Sequence, residues 1–166
     1  MAKREVRIFP DPVLREKCSD VDHFGGELAQ LLDDMRETMY QEHGIGLAAP
    51  QVGETIRVTV VDVSEDGSEC IELINPTIIS SDGKVSSEEG CLSIPDYRDT
   101  VTRNATISVE AYDREGTKFQ LDATELLSIC IQHEIDHLDG VLFVDRLSRL
   151  KRDIFKRWMK KQLKKL

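Results

Sequence analysis

The stretch Gln132-His133-Glu134-Ile135-Asp136-His137 constrains the chain more than any other, because it places two histidines at i and i+4 inside a segment, Asp122 to Gly140, that reads as one helix. Side chains four apart share a helix face, so both imidazoles can reach one metal ion, with a glutamate beside the first of them. Asp122 with Glu125 three residues later has the form of a capping box, and Gly140 supplies the left-handed residue that stops helices. Leu126, Ile129, Cys130, His133 and His137 fall on one face and Leu127, Ile131 and Leu138 on another. A helix apolar on two faces is a central, buried one. The same pattern also fits a core helix with two hydrogen-bonded histidines, so the rest of the chain has to decide.

Leu28, Leu31, Leu32, Met35 and Met39 recur at helical spacing through Glu27 to Tyr40, which predicts a first amphipathic helix ending near His43-Gly44. In Gly44-Ile45-Gly46-Leu47-Ala48-Ala49-Pro50-Gln51 the side-chain bulk disappears, as it does in a surface turn or where something approaches the backbone closely. Arg57 to Val63 reads as a buried strand, Ile71 to Ile74 and Ile78-Ile79 as further short strands interrupted by Asn75-Pro76, and the alternation Ile107, Val109, Ala111 as a strand within Val101 to Asp113. Asp113 to Gly116 then turns into Lys118 to Leu121, a hairpin leading into the metal helix. Strands and helices do not alternate regularly. The expected fold is therefore α+β, mostly antiparallel sheets packed around a central metal-binding helix.

A length of 166 residues with 40% hydrophobic composition sets one domain as the expectation. No apolar run approaches the roughly 20 residues that cross a bilayer, and the N-terminal stretch lacks the apolar core of a signal peptide, which predicts a cytoplasmic protein. Cys18, Cys70, Cys91 and Cys130 are widely spaced, as expected of reduced thiols and possible metal ligands rather than a disulfide framework.

Two histidines need a further ligand. Glu89-Gly90-Cys91-Leu92-Ser93, between strand-like segments, offers Cys91, which by itself fits a small buried residue better than a ligand. Together with the histidine pair it becomes the best candidate.

The segments Gly44 to Gln51, Glu89 to Ser93 and Gln132 to His137 resemble, in order and spacing, the three signature motifs of the peptide deformylases. The resemblance extends over essentially the whole chain. It implies removal of the formyl group from the N-terminal methionine of newly made polypeptides, with release of formate. Residue by residue, it implies Cys91, His133 and His137 as metal ligands, Glu134 as acid–base residue, and Gln51 with the backbone N–H of Leu92 as oxyanion donors. Gly46 and the backbone of Ile45 and Gly90 would pair with the peptide like an added strand, and Ile45, Glu89, Arg98, Leu126, Ile129 and Cys130 would shape the methionine pocket. Hydroxide formed at a metal with an open position would attack the formyl carbon, Glu134 taking the proton and passing it to the leaving amine. Two imidazoles and a thiolate suit zinc, iron, cobalt or nickel. The resemblance points to Fe2+, one per chain, with Zn2+, Ni2+ or Co2+ as substitutes.

An H-E-x-x-H metalloprotease is the competing enzyme, although no third histidine follows His137. A nucleic-acid-binding module with a closed structural metal is the competing non-enzyme. The charge pattern bears on both. Residues 151–166 carry eight Lys/Arg and one Asp, a net +7, so of the total of −9 the first 150 residues carry −16. Leu150, Ile154 and Trp158, with Phe155, Met159 and Leu163 one turn offset, make this tail an amphipathic basic helix of the same domain as the catalytic body, residues 1–150. It fits a solvated helix docked on an acidic body, or a surface that meets ribosomal phosphates while the enzyme waits for formyl-Met nascent chains. A membrane-surface role would need the apolar stripe that docking uses, so the expectation is a monomer with no membrane association. Removing Lys156 to Leu166 is expected to spare hydrolysis of short peptides and to abolish ribosome binding.

Overall fold

Valines and isoleucines at alternating positions build a five-stranded antiparallel sheet whose two faces are covered by different helices. The computed structural model describes residues 2–165, so Met1 and the tail's last residue, Leu166, lie outside the described residues. The strands are β1 (Gly46–Ala48), β2 (Val58–Val61), β3 (Ile71–Asp82), β4 (Val85–Cys91), β5 (Ile94–Arg103), β6 (Thr106–Tyr112) and β7 (Lys118–Thr124). The large sheet has the order β1-β2-β3-β6-β7, and β4 pairs with β5 as a separate two-stranded ribbon. The helices are α1 (Gly26–Gln41), α2 (Glu125–Leu138) and α3 (Arg149–Lys164).

Side-chain alternation explains why β2 is buried along its whole length. Val58 and Val60 join Ile74 and the α1 residues Leu28, Leu31, Leu32, Met35 and Met39 in one cluster. Val61, pointing the other way, joins Leu73, Ile107, Val109 and Ala123 with Cys130, Ile131 and Ile135 of α2. Each large side chain so buried contributes roughly 1.5–3 kcal/mol. A third cluster joins the β4–β5 ribbon to α3 through Leu14, Ile94, Val101, Phe143, Phe155 and Met159.

The helix expected from Asp122 starts three residues later. Asp122 stays in β7, where its carboxylate accepts from Ser108 Oγ across the β6–β7 pair at 2.5 Å. The chain enters α2 through Glu125 in the left-handed region (φ 53°) after an extended Thr124 that makes no side-chain cap. The capping-box spacing is thus a coincidence of strand sequence. At the other end Gly140 has φ 75°, its N–H donates to His137, and Val141 N–H donates to the Asp136 carbonyl. A Cβ there would lie 2.5 Å from the Arg15 carbonyl oxygen, so both the backbone angle and the packing require glycine.

The two short strands expected around Asn75-Pro76 are one, β3. Asn75 sits at φ 52° in an irregularity of the β3–β6 register, and its side-chain amide accepts from Val21 N–H and donates to the Val21 carbonyl. Those two bonds satisfy the bulge, and proline's missing donor falls where the ladder is already interrupted. Ser128 to Leu138 of α2 are all buried, as expected of a central helix.

Candidate metal centre

α2 carries His133 and His137 one turn apart, their ring centroids 5.0 Å from each other. Cys91, the last residue of β4, meets them at the turn into β5. The ligating atoms of the three residues lie within 4.8 Å of one another, and Cys91 Sγ is 3.4 Å from His137 Nε2. His133 Nδ1 faces Glu89 Oε1 at 3.0 Å, which leaves its Nε2 for the centre. Burial, and the neighbouring His133, hold His137 well below the usual imidazole range. A thiol and two imidazoles at these separations fit a single tetrahedral ion with a position to spare.

Glu134 is 4% exposed, and its Oε1 has no hydrogen-bond partner among the described residues. Burial, only partly offset by His133, pushes its carboxyl up to about 7. A carboxyl so placed can carry a proton at neutral pH and release it again. Its other oxygen presses on Gly46, where an added Cβ would come within 2.5 Å of it. The small-residue stretch is therefore a close approach, and what approaches is the glutamate.

Gln51, 2% exposed, is oriented by its own backbone neighbourhood. Its Oε1 accepts from Ala48 N–H at 2.9 Å, which turns Nε2 to Ser93 Oγ at 3.1 Å and Cys91 Sγ at 3.6 Å. Leu92, beside Cys91 in the β4–β5 turn, lies over Gly44, where a Cβ would be 2.8 Å from its Cδ1. Gly90 has the Arg98 side chain across it, and Arg98 pairs with Glu88 on the exposed side.

Leu126, Ile129 and Cys130 run along one face of α2 from rim to floor, at 48%, 9% and 5% exposure. Ile45 is also exposed, and its carbonyl accepts from Asp62 N–H and the Cys130 thiol. Gly46 pairs with Val61 in β1, which is an edge strand. Glu89 sits behind the site: Arg103 grips both its oxygens, at 2.6 and 2.9 Å, and His133 takes one of them, so its carboxylate supports His133 and does not face outward. Two surface clefts of about 460 and 470 Å³, beside Val21 and beside Cys70, are separate from this centre.

Residues that sequence reasoning left out also meet here. Ser93 accepts from Gln51, Phe143 stacks on His133 at 6.0 Å, and Arg103 and Asp136 form a buried ion pair behind the histidine. Ser93 and Asp136 lie inside recognised motifs. Arg103 and Phe143 carry no local signal.

The chain matches the family model described as polypeptide deformylase over residues 3–153. It is 48% identical to the peptide deformylase of Syntrophobacter fumaroxidans over 166 residues, 99% of this chain and 98% of that one. It is 50% identical to that of Pseudoalteromonas translucida, covering 99% and 98%. Among solved structures, a peptide deformylase from Legionella pneumophila superposes with a TM-score of 0.92 at 45% identity, covering 98% of this chain and 96% of that one. One from Ehrlichia chaffeensis in complex with actinonin gives 0.89 at 37%, covering 98% of both.

Proposed function

The chain belongs to the polypeptide deformylase family, and from that membership we propose a role for each group at its centre. It is a metal-dependent hydrolase that removes the N-formyl group from the N-terminal methionine of newly synthesised proteins and releases formate. Cys91, His133 and His137 hold the ion, which when bound supplies Lewis acidity and lowers the pKa of water toward neutrality.

Glu134 takes the proton from the attacking water and delivers it to the leaving amine; its enclosed, unpartnered Oε1 is the observation that carries this role. Gln51, with one N–H aimed along the Cys91 side of the centre, and the Leu92 N–H donate to the oxygen on which charge develops, each supporting roughly 2.7–4 kcal/mol of barrier lowering. The free edge of β1, with Gly46 and the backbone of Ile45, and Gly90 on the opposite ribbon, receive the peptide as an added strand. Leu126, Ile129 and Cys130 give an apolar wall to the methionine side chain, with Ile45 and Arg98 at its mouth and Glu89 fixing its inner end through His133.

The ion is ferrous iron, in keeping with a mixed sulfur and imidazole donor set, and zinc, nickel or cobalt can replace it. The protein is a cytoplasmic monomer; among the described residues no helix is long and apolar enough to cross a membrane. Residues 1–150 form the catalytic body, and the basic tail that follows is part of the same domain, a reading supported by Phe155 and Met159 of α3 in the third core cluster. The exposed cations of α3 meet ribosomal phosphates. The deciding assay is anaerobic formate release from formyl-Met peptides set against cleavage of unformylated ones. Internal cleavage without formate release would replace deformylation by proteolysis.

A further inference from the structure

We infer that Arg146, a half-exposed residue outside the recognised motifs, is a positioning residue for the metal ligand His133. The inference rests on His133 being a ligand. An unbroken set of charge-assisted bonds joins the two. His133 Nδ1 faces Glu89 Oε1 at 3.0 Å, and Arg103 donates from Nε and Nη2 to the two Glu89 oxygens at 2.6 and 2.9 Å. Arg103 Nη1 reaches Asp136 Oδ2 at 2.9 Å, and Arg146 closes the series with Nε to Asp136 Oδ2 at 3.0 Å and Nη2 to Oδ1 at 2.7 Å.

The signs alternate, and the four charges sum to zero. Arg103, Glu89 and Asp136 side chains are 3%, 6% and 11% exposed, so water does little to satisfy them, whereas Arg146 is 48% exposed. Asp136 and Glu89 compete for one guanidinium. While Arg146 occupies both Asp136 oxygens, Asp136 takes a single arm of Arg103 and the other two stay on Glu89. Without Arg146, Asp136 becomes a buried carboxylate with an unfilled oxygen, and it draws Arg103 toward itself. Glu89 then loses the grip that fixes its position, and with it the imidazole of His133 loses a rigid acceptor.

The short helix Phe143–Arg146 is built to hold that contact. Its Phe143 ring lies 6.0 Å from the His133 ring at 24°, and Asp145 is pinned by Arg15 and by Leu142 N–H. Arg146 therefore acts from a segment that is itself fixed against the ligand.

The test uses the zinc-loaded protein, whose low-field imidazole N–H proton reports the His133–Glu89 bond directly. That resonance should be present in the wild type, assigned to His133 Nδ1 by its correlation with the His133 ring. In Arg146→Met it should shift or broaden by exchange, and zinc release to a chelator should speed up about tenfold. Arg146→Lys, which keeps the charge and loses the fork, should fall between the two. A wild-type resonance and release rate in Arg146→Met, or in Arg146→Lys should the first variant not fold, would overturn the inference. Zinc bound by His133→Ala with the affinity of the wild type would remove the ligand assignment, and the inference with it.

Discussion

Glu134 and Gly46 show how closely single residues are matched at the centre. The glutamate is enclosed, one oxygen has no partner among the described residues, and the other lies against a backbone that has no side chain to offer. The proposed role puts its work on protons and not on the ion, so Glu134→Gln should keep the metal content of the wild type while the rate falls roughly 10²–10⁴-fold or more. Metal analysis of the purified variant checks this, and loss of the ion would place Glu134 among the ligands. Gly46→Ala probes the same contact from the opposite side. Its methyl would sit 2.5 Å from Glu134 Oε2 and 2.9 Å from Cys130 Sγ, so the carboxylate has to move. The expected result is kcat lowered by about 100-fold with the metal still bound, since displacements near 1 Å cost on that order. An unchanged kcat would mean that Glu134 has freedom its surroundings do not indicate.

At the scale of elements, the parts readable in advance were those with a long periodic signal. α1 shows the five apolar positions that its spacing required, and α2 is buried along the turns that carry the histidines. The beginning of α2 could not be read, because Asp122 and Glu125 have capping spacing whether the chain there is helix or strand, and only the β6–β7 pairing decides. The unity of β3 depended on Val21, some fifty residues distant, which satisfies Asn75 and so lets a proline stay within a strand. Among site residues, Cys91, His133, His137, Glu134 and Gln51 sit in local motifs, whereas Arg103 and Arg146 acquire their partners only through the tertiary fold. α3 is a mixed case. Its apolar positions were visible, but they divide: Phe155 and Met159 are buried, while Leu150, Ile154 and Leu163 remain exposed. Phe155 lies 5.6 Å from Phe9 and 4.9 Å from Tyr97, ring centre to ring centre. Phe155→Ala should cost about 3–5 kcal/mol, read as a lowered denaturant midpoint with unchanged slope. Truncation after Phe155 would strip Trp158 and Met159 from the same cluster, so the helix's charge is better tested by substitution than by deletion.

The whole molecule separates two requirements, a scaffold made of hydrocarbon and a surface divided by charge. Three large apolar clusters hold the sheet, the helices and the ribbon together; Cys91 packs against the third, and His133 and His137 belong to none of them. Chelated protein should therefore keep its far-UV circular dichroism and unfold cooperatively, with a lower midpoint in proportion to the lost binding energy, unlike small domains that collapse without their metal. Non-cooperative melting of the chelated protein would show that the ion is structural. The charge division makes the last prediction. The first 150 residues carry −16 and the tail +7. Of its eight cations Lys151 is the one paired with the body among the described residues, at 3.0 Å from Asp99, and it anchors the start of α3. Lys156, Lys160 and Lys164 follow at successive turns on the exposed surface. An acidic body repels RNA while the helix attracts it, so binding must be confined to that one face and must weaken with salt by release of counterions. Replacing these three lysines by glutamine should leave hydrolysis of short formyl-Met peptides unaltered and flatten the dependence of log K for ribosomes on log salt by about 2 to 3. Identical slopes for the two proteins across the titration would leave α3 as a packing element alone.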